Sequence, residues 1–397
     1  MKKIDLVILA GGLGSRLGSV TQKKPKPLLK INNKTFLEIL IRNFAKYNLE
    51  NIYILAGYKG NLIYKLFHNK TYNFVKIRCI IEKKKLGTWG AVHNIKKLIK
   101  NDFILSNGDS IIDTNFHDLI FKKKNKNIDI NMMLIKNINY KSNLSLNGLK
   151  LMKSKIYFSK KSNLMNGGVY FIKRKLLYNY NFRFSKSIEN DVLPNLIKNK
   201  KVAGIKTNNF FLDIGTPKNL IFAKKKLSKN LRKPAIFLDR DGVINYDSGY
   251  IYKWKQFKFK NFVLKALSYL NKKNYLIFLI TNQAGIAKGY FDEDDFFSLH
   301  KSIKEYLSKK NIYLNDVKYC PFHPNAIIKK YKKKSLFRKP GNLMIKQVIK
   351  EWDIDLKKSL MIGDNITDKL AAEKSNLNFK FDNNNLYRQL KDFTNIS

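Results

Sequence analysis

Two carboxylates follow a short apolar run in the second half of the chain. Residues 236–238 are apolar, and Asp239 and Asp241 come next, just before Gly242. Side chains two positions apart on a strand point to the same side, so we expect both carboxylates to face one crevice at the carboxyl end of a buried strand. Two negative charges at so short a distance repel each other unless a cation or a proton lies between them. The simpler alternative, a strand followed by an Asp-Gly turn, is disfavoured by motifs further along the chain.

Polar groups also follow two other apolar strand patterns in this half of the chain. Thr281 follows residues 276–280, and Asp364 comes two positions after residues 360–362. Lys339 lies between these two patterns. If the three strands are parallel neighbours, their carboxyl ends meet at one edge of a sheet. Each of these residues is ordinary alone, but together they predict one shared ligand site.

The first half of the chain opens with a glycine-rich loop after an apolar strand pattern. Gly11, Gly12 and Gly14 follow residues 6–10, and glycines let backbone N–H groups come close to phosphate oxygens. The spacing matches neither the Walker A motif nor the dinucleotide-binding fingerprint. Lys26 follows between two prolines, which stiffen the segment and fix the direction of the lysine. The loop and the lysine together predict a phosphate site.

Alternating strand and helix patterns continue from that loop through the chain. Asp109 is another carboxylate just past an apolar strand pattern, at residues 103–105, and an Asx turn is the alternative reading of it. Strands that alternate with helices predict a mostly parallel sheet covered on both faces. We therefore predict two doubly wound α/β domains, at residues 1–226 and 235–397, joined by a charged linker at residues 227–234.

Residues 4 to about 220 resemble the sugar-1-phosphate nucleotidyltransferase family, whose fold is Rossmann-like with a mixed sheet. Seven short motifs carry the resemblance, at residues 9–17, 25–28, 57–60, 86–88, 107–109, 166–170 and 211–217. The resemblance implies that the oxygen of a sugar 1-phosphate attacks the α-phosphorus of a nucleoside triphosphate in line and that pyrophosphate leaves. Such chemistry depends on positioning and charge neutralisation more than on covalent help.

The same resemblance implies roles for individual residues of the first half. Arg16 would hold the triphosphate together with the glycine loop, and Lys26 would meet the phosphates near the reacting centre. Asp109 and Asp213 would hold Mg²⁺, which prefers carboxylate and phosphate oxygens. Glu189 would belong to the sugar pocket, with a carboxylate at a helix start as an equally good alternative. The implied substrate-binding set is Gly11, Gly12, Gly14, Gly87, Thr88, Asn107 and Glu189.

Trp89 departs from the pattern of this family, in which the corresponding position usually holds a small residue. The position lies beside the expected nucleotide pocket. We therefore expect the indole of Trp89 either to reshape that pocket or to stack on a ligand, and the identity of the base stays open.

Residues 235 to about 380 resemble the haloacid dehalogenase (HAD) superfamily, and within it the branch that contains heptose 1,7-bisphosphate phosphatases and histidinol phosphatases. The motifs that carry this resemblance lie at residues 239–245, 281–286, 288–289 and 338–341. The resemblance implies a HAD-like Rossmannoid domain. It also implies a phosphomonoesterase that forms a covalent aspartyl phosphate.

The HAD resemblance also assigns roles to single residues. Asp239 is the implied nucleophile, and Asp241 would protonate the leaving alkoxide and then activate water. Thr281 and Lys339 would bind the phosphoryl oxygens. Mg²⁺ would bind Asp239, Asp364 and the main-chain carbonyl of Asp241, so that the crowded carboxylates stay ionised. The implied substrate-binding set is Asn282, Lys288 and Arg338, of which the two basic residues are candidates for a second phosphate or for hydroxyls.

Members of this branch often bind a structural zinc ion in the loop before the Arg-Lys-Pro motif. Here Cys320 keeps its place, His323 is one position off, and the other ligand positions hold Phe322, Ser335 and Phe337. A structural zinc site needs four such ligands. We therefore predict no zinc, and we expect the two phenylalanines to pack as an apolar substitute.

The composition restricts the partners that the chain can have. Its 397 residues include 78 Lys and Arg against 29 Asp and Glu, a net charge of +49. The lysines are spread over the whole chain, which favours a biased surface composition over a nucleic-acid footprint. No apolar run approaches the roughly 20 residues of a membrane span, and the first residues lack a signal-peptide pattern. With two cysteines and no disulfide framework, we predict a cytoplasmic protein without a membrane partner, and the oligomeric state stays open.

Two enzyme-like halves in one chain predict consecutive reactions on small sugar phosphates. By resemblance, we expect a heptose bisphosphate to lose its distal phosphate at the C-terminal site. The remaining sugar 1-phosphate would then be coupled to a nucleotide, most simply from GTP, on the route to nucleotide-activated D-glycero-D-manno-heptose of bacterial cell-surface polysaccharide. The alternatives are another hexose 1-phosphate with a histidinol-phosphate-type phosphatase, and a nucleic-acid 3′-phosphatase or binding protein, which salt-sensitive DNA binding would distinguish.

Overall fold

The computed structural model describes residues 3–121, 127–136, 147–159, 161–179 and 186–396. They form two compact units, one built mainly from residues up to Asn230 and the other mainly from Leu231 onward. This division falls inside the predicted linker at residues 227–234. The first residues of that segment continue the helix Pro217–Leu231 and do not form an irregular stretch.

The first unit is organised around a mixed sheet of ten strands among the described residues, in the order β10-β11-β13-β9-β12-β7-β1-β4-β6-β5. Strands β1, β4, β6 and β7 run parallel to their neighbours in this group, whereas β12 runs antiparallel to β7 and β9. Two short pairs, β2–β3 and β8–β14, lie outside this sheet. In chain order the strands are β1 (Ile4–Leu9), β2 (Lys30–Ile31), β3 (Lys34–Thr35), β4 (Leu49–Ala56), β5 (Thr71–Tyr72), β6 (Val75–Ile81), β7 (Phe103–Asn107), β8 (Ser110–Ile112), β9 (Ile130–Lys136), β10 (Asn147–Met152), β11 (Lys155–Phe158), β12 (Leu164–Ile172), β13 (Val202–Thr207) and β14 (Phe211–Asp213).

The helices of the first unit cover this sheet through apolar faces. In α2, apolar residues recur at helical spacing, and those that are buried include Phe36, Leu40 and Phe44. Trp89, on α4, is fully buried in a cluster with residues of the central strands. The helices are α1 (Ser19–Lys23), α2 (Phe36–Ala45), α3 (Gly60–Phe67), α4 (Gly87–Asn94), α5 (His117–Phe121), α6 (Leu176–Asn179), α7 (Leu193–Lys198) and α8 (Pro217–Leu231).

The second unit has a five-stranded sheet among its described residues, in the order β17-β16-β15-β18-β19, and every neighbouring pair is parallel. The central strands are apolar because helices cover both of their faces. Strands and helices of this unit are β15 (Ala235–Leu238), α9 (Val263–Lys272), β16 (Leu276–Asn282), α10 (Ala284–Ala287), α11 (Glu293–Lys309), β17 (Asp316–Cys320), α12 (Leu343–Glu351), β18 (Leu360–Gly363), α13 (Ile366–Glu373), β19 (Asn378–Phe381) and α14 (Leu386–Ile396).

The predicted fold class is confirmed, since each unit is an α/β sheet covered by helices. The parallel order of β16, β15 and β18 also places the carboxyl ends of these three strands side by side. One local expectation differs from the structure. Strand β15 ends at Leu238, so that Asp239 and Asp241 lie in the turn after the strand.

Among the described residues, every helix is either too short or too polar to cross a lipid bilayer.

Candidate active sites

Lys339 lies at the centre of the cluster at the carboxyl end of the second sheet. Only 3% of the lysine is exposed. Its Nζ lies 2.7 Å from Asp239 Oδ1 and 2.5 Å from Asp368 Oδ1, and it donates a hydrogen bond to the carbonyl oxygen of Ile280 at 2.9 Å. Burial alone would lower the pKa of Lys339, but the charges and hydrogen bonds of the two carboxylates raise it. The lysine is therefore a fixed cation at the end of β15 and β16.

Three carboxylates of this cluster could share a metal ion. Asp239, Asp364 and Asp368 each place an oxygen within 4.8 Å of the others. Burial raises the pKa of Asp239 to about 7 despite the opposing charge of Lys339, and burial followed by the Asp368 charge raises the pKa of Asp364. A divalent cation would relieve this repulsion, and an all-oxygen donor set suits Mg²⁺. These residues therefore fit the predicted metal, with Asp368 as a member that the sequence did not assign.

The Asp241 carboxylate belongs to a different set of contacts from Asp239. Its Oδ1 accepts hydrogen bonds from Arg240 Nε at 3.0 Å and Asn245 Nδ2 at 3.0 Å. Its Oδ2 accepts from Arg240 Nη2 at 2.7 Å and Gln283 Nε2 at 3.1 Å. The turn after β15 therefore gives the two carboxylates separate hydrogen-bond and ion-pair partners. A role for the main-chain carbonyl of Asp241 stays a prediction.

Thr281 and Asn282 lie at the end of β16, beside this cluster. Thr281 is buried and its Oγ1 accepts a hydrogen bond from Gln283 Nε2 at 2.8 Å. The Asn282 side chain accepts from the backbone N–H of Lys339 at 3.0 Å and donates to the carbonyl oxygen of Lys339 at 3.1 Å. Asn282 therefore fixes the backbone of Lys339. The sequence had predicted a contact between Asn282 and the substrate instead.

Lys288 and Arg338 carry two positive charges close to each other. Lys288 Nζ donates a hydrogen bond to the hydroxyl of Tyr250 at 2.7 Å. Burial lowers the pKa of Arg338, and its Nη1 is buried without a hydrogen-bond partner. An unpaired buried donor on a cation has a large desolvation cost. An anionic ligand at this position would satisfy it.

The loop after β17 is held by aromatic rings and hydrogen bonds. Glu293 accepts hydrogen bonds from the hydroxyls of Tyr319 at 2.5 Å and Tyr331 at 2.8 Å. Phe322 packs against the core, and Lys333 Nζ lies 3.9 Å from the centre of its ring. The expected apolar packing is therefore found for Phe322, but Phe337 is 36% exposed, so for Phe337 the expectation is wrong.

The first unit has two adjoining cavities at the carboxyl ends of β1 and β7. The larger has a volume of about 270 Å³, and the smaller about 220 Å³. Asn107, Asp109 and Glu189 line both. Of the other predicted residues, Gly11, Gly12, Lys26, Gly87 and Thr88 line the larger cavity, and Arg16 and Asp213 line the smaller. Gly14 lines neither, and its φ of 69° begins the short helical turn that carries Arg16.

The short β8–β14 pair brings Asp109 and Asp213 together. Asp213 pairs with Ser110 in this ladder, and the N–H of Ile214 donates to the carbonyl oxygen of Asp109 at 2.9 Å. Lys26 Nζ lies 2.7 Å from Asp109 Oδ2. Burial and then the charge of Asp109 raise the pKa of Asp213 to about 6. Because this excess of negative charge is only partly offset by the lysine, the two carboxylates fit the predicted Mg²⁺ site.

Thr88 and Glu189 form one wall of the larger cavity, and Glu189 also lines the smaller. Thr88 Oγ1 donates to Glu189 Oε2 at 3.1 Å and accepts from the N–H of Ile188 at 2.8 Å. Burial raises the pKa of Glu189. Gly87 has φ +78°, and a β-carbon there would collide with the carbonyl oxygen of Lys186. Glycine is therefore required where this wall begins.

Glu82 is a residue of the larger cavity that the sequence reasoning missed. It follows β6 directly, and its Oε1 would lie 2.8 Å from a β-carbon built on Gly11. The N–H of Leu86 donates to its carboxyl group, and burial raises the pKa of Glu82. Lys85 lines the same cavity. A carboxylate just past a strand end is the signal that could have identified it, as it identified Asp109.

Trp89 lies away from both cavities. It is 0% exposed and packs in the core of the unit, and its N–H on the backbone donates to the carbonyl oxygen of Lys186 at 2.9 Å. The expectation that its indole reshapes the nucleotide pocket or stacks on a ligand is therefore wrong, because the side chain points to the sheet side of α4.

Comparisons with known proteins match each half of the chain separately. Residues 6–145 match the nucleotidyl transferase family, and residues 336–380 match the HAD-hydrolase-like family. The D-glycero-beta-D-manno-heptose-1,7-bisphosphate 7-phosphatase of Rhodopseudomonas palustris is 38% identical over 152 residues, which cover 38% of this chain and 84% of the relative. The enzyme of the same name from Photorhabdus laumondii is 41% identical over 147 residues, which cover 37% and 78%. The crystal structure of HddC from Yersinia pseudotuberculosis is 28% identical and covers 56% of this chain and 99% of that chain, with a TM-score of 0.48.

Replacing Trp89 with phenylalanine tests its assignment to the core. We expect Trp89→Phe to lower the free energy of unfolding by about 1–3 kcal/mol, because the smaller ring leaves part of the buried space unfilled. The KM for nucleoside triphosphate should stay unchanged. Urea unfolding and initial-rate kinetics measure the two effects, and a raised KM without a loss of stability would contradict the core assignment.

Replacing Gly242 with alanine tests the geometry of the carboxylate cluster. Gly242 has φ +85°, and a β-carbon there would collide with the Asp364 carboxylate. We expect Gly242→Ala to lower phosphatase kcat/KM by about 100-fold, since displacing a site group by about 1 Å can have that effect.

A matched control for this substitution is available at Gly249. Its φ of +81° imposes the same backbone strain, but nothing lies within 4 Å of a β-carbon built there. Gly249→Ala should therefore reduce stability without the loss of phosphatase activity. Equal losses in the two variants would show that strain alone explains the effect.

Proposed function

The chain belongs to the family of HAD-like hydrolases that contains the D-glycero-D-manno-heptose-1,7-bisphosphate 7-phosphatases, and a nucleotidyl transferase domain precedes that part of the chain. On this basis we propose that the chain catalyses two consecutive reactions. The second unit removes the phosphate at position 7 of D-glycero-D-manno-heptose 1,7-bisphosphate. The first unit then transfers a nucleotidyl group to the resulting heptose 1-phosphate and releases pyrophosphate. The names of the relatives support the sugar, and the geometry of each site supports the reaction type.

The observation that carries the phosphatase proposal is the ion pair between Lys339 and Asp239 beside two more carboxylates. Asp239 attacks phosphorus, its Oδ forms a bond to phosphorus, and the bond to the sugar oxygen breaks. Asp241 gives its proton to that oxygen and then takes a proton from the water that hydrolyses the aspartyl phosphate. Lys339 and Thr281 stabilise the phosphoryl oxygens. Mg²⁺ on Asp239 and Asp364 would neutralise charge and orient the phosphate.

The second phosphate of the substrate has a matching pair of cations. Arg338 offers a buried N–H group that lacks a hydrogen-bond partner, and Lys288 lies nearby with its ammonium group exposed. We assign these two residues to the phosphate at position 1, which must remain bound while the other phosphate is removed. Charge-assisted hydrogen bonds of this kind are stronger than neutral ones.

The transferase proposal depends on the two cavities that meet at Asp109. A nucleoside triphosphate in the larger cavity and a sugar phosphate in the smaller would bring their phosphates together beside Lys26, Asp109 and Asp213. Arg16 and Lys26 offset the negative charge of the phosphates. Glu189 and Asn107 offer acceptors and donors to the sugar hydroxyls. Mg²⁺ on the two aspartates would neutralise the charge that develops during transfer.

Glu82 supports guanine as the base. An ionised carboxyl group only accepts hydrogen bonds, and guanine presents two adjacent donors, its N1–H and its amino group, on one edge. Uracil, thymine, cytosine and adenine each present at least one acceptor there, which would face the carboxylate without a hydrogen. Glu82 lines the same cavity as Gly11 and Gly12 of the glycine loop, and we assign it to the base of the nucleotide that binds there.

A coupled assay tests the two reactions together. Purified protein with Mg²⁺ is offered both anomers of heptose 1,7-bisphosphate and each nucleoside triphosphate, with histidinol phosphate and hexose 1-phosphates as competitors for the substrate assignment. We expect phosphate release followed by nucleotide-sugar formation. Asp239→Asn should abolish the first reaction, since a neutral amide neither attacks phosphorus nor ion-pairs with Lys339, and should leave transfer to supplied heptose 1-phosphate intact.

The matched control for this assay is Lys26→Met in the other unit. It should abolish transfer and leave phosphate release unchanged, because its partner Asp109 belongs to the first unit. No phosphate release by the unaltered protein, or identical release by Asp239→Asn, would refute the phosphatase proposal. The transferase proposal fails independently if heptose 1-phosphate is not converted with any of the triphosphates.

The choice of base can be tested with Glu82→Gln. A glutamine amide offers one acceptor and one donor, which match the N3–H and O4 of uracil better than the two donors of guanine. We expect the ratio of kcat/KM for GTP over that for UTP to fall by about 10- to 100-fold, as a bidentate contact discriminates by about 1–3 kcal/mol.

Lys85→Gln is the control for base choice, because Lys85 lines the same cavity but carries a charge that attracts every triphosphate. It should weaken all four nucleotides by a similar factor. An unchanged GTP-to-UTP ratio in Glu82→Gln would exclude Glu82 as the base-reading residue.

A further inference from the structure

Arg240 is the largest charged side chain that the second unit buries. Only 1% of it is exposed. Its Nε and Nη2 donate to both oxygens of Asp241, at 3.0 and 2.7 Å. Neighbouring residues on a strand point in opposite directions, so this pairing of adjacent side chains is possible only because β15 ends at Leu238. The two residues form a bidentate pair in which the arginine plane fixes the plane of the carboxylate.

Further contacts fix the arginine itself. Its Nη2 is also within 3.0 Å of the carbonyl oxygen of Ile251 and 3.2 Å of Gln283 Oε1. Its Nη1 lies 3.4 Å from His300 Nε2. Burial, and then the charge of Arg240, lowers the pKa of His300 well below its ordinary value, so the ring is neutral and can accept from the guanidinium. The guanidinium is therefore held from several sides. Of its contacts with Asp241, Ile251, Gln283 and His300, that with Asp241 is anionic.

The Asp241 carboxylate faces the phosphoryl site. Gln283 Nε2 lies 3.1 Å from Asp241 Oδ2 and 2.8 Å from Thr281 Oγ1, so the carboxylate and the hydroxyl lie on either side of one amide. The Asp241 side chain keeps 21% of its surface exposed, whereas the Arg240 side chain keeps 1%. Arg240 thus approaches the carboxylate from the protein interior, and the accessible part of Asp241 is left for a ligand.

We propose that Arg240 is a positioning residue for phosphate-ester hydrolysis, which holds the Asp241 carboxyl group in the one orientation from which it can exchange protons with the leaving group and with water. This inference rests on the proposed phosphatase function. In the first step the proton of Asp241 goes to the ester oxygen as its bond to phosphorus breaks. In the second step Asp241 takes a proton from the attacking water as the aspartyl phosphate is hydrolysed. Arg240 takes no proton in either step.

A positioning role through Asp241 makes a prediction that depends on the leaving group. Phenyl phosphate and p-nitrophenyl phosphate have nearly the same shape, but p-nitrophenolate leaves without protonation, whereas phenolate depends on an acid. We expect Arg240→Lys to slow formation of the aspartyl phosphate from phenyl phosphate by about 10- to 100-fold, because misplacing a general acid loses part of its about 10²–10⁴-fold contribution. The same step with p-nitrophenyl phosphate should change by less than about threefold.

Rapid mixing of the full chain with each ester measures that step. With p-nitrophenyl phosphate, Arg240→Lys should release one equivalent of p-nitrophenol per site in a fast burst and then turn over slowly, because water activation also depends on Asp241. The double variant Arg240→Lys/Asp241→Asn should be no slower with phenyl phosphate than Asp241→Asn alone, since Arg240 acts only through the carboxyl group.

Lys318→Met is the control for a general loss of structure. The side chain of Lys318 is 15% exposed, against 1% for Arg240, and it is ion-paired with Asp316 and Glu351 in the same unit. It should reduce stability and leave the ratio of the two esters unchanged. Equal slowing of both esters in Arg240→Lys, or additive losses in the double variant, would overturn the positioning role. If the unaltered protein released no phenol and Asp239→Asn behaved identically, the phosphatase proposal itself would fail.

Discussion

Both candidate sites depend on one buried lysine that neutralises carboxylates crowded at the end of a sheet. Lys339 pairs with Asp239 and Asp368, and Lys26 pairs with Asp109 beside Asp213. Bringing several acids together is unfavourable unless cations balance them. Removing one partner of a buried ion pair leaves an uncompensated charge, which destabilises the fold strongly. The lysines therefore serve the architecture of each site as well as its chemistry.

In each site the nearby cations neutralise the carboxylates only in part. The remaining negative charge prepares the site to bind a metal ion. In the second unit, burial keeps the pKa of Asp239 and Asp364 above its ordinary range although Lys339 is nearby. In the first unit, Asp213 shows the same effect beside Asp109. A divalent cation held by these carboxylates would complete the balance and could also bind phosphate oxygens. The net charge of +49 on the chain adds a long-range attraction for such anionic substrates.

Motifs at strand ends were predictable from the sequence because a parallel sheet brings its carboxyl ends together whatever the details of packing. The strand-end pattern therefore predicts one shared site for Asp239, Thr281 and Asp364 from the sequence alone. The pattern does not give the partners of Asp241, since these depend on where β15 ends and strand ends are uncertain by a residue or two. The sequence reasoning failed for Trp89, because an aromatic residue next to a glycine motif gives no sign of which side of its helix faces the core.

The residues that the sequence reasoning missed are those whose role depends on distant partners. Arg240 stands between two aspartates and looks like a solvated charge, yet it is buried because Gln283, Ile251 and His300 surround it. Glu82 becomes part of a cavity only because the glycine loop approaches the end of β6. Such contacts join residues that are about 10 to 70 positions apart in the chain, a relationship that local pattern does not encode.

The loop after β17 has a consequence for the conditions under which the second unit keeps its shape. A loop fastened by zinc is ordered or disordered according to metal supply and thiol oxidation. Here Tyr319 and Tyr331 share the Glu293 carboxylate and Phe322 packs on the core. Contacts of this kind involve neither a thiolate nor a metal ion, and they weaken gradually on heating, as hydrogen bonds and ring contacts do. The polypeptide next to Arg338 is thereby held by the core of the second unit itself.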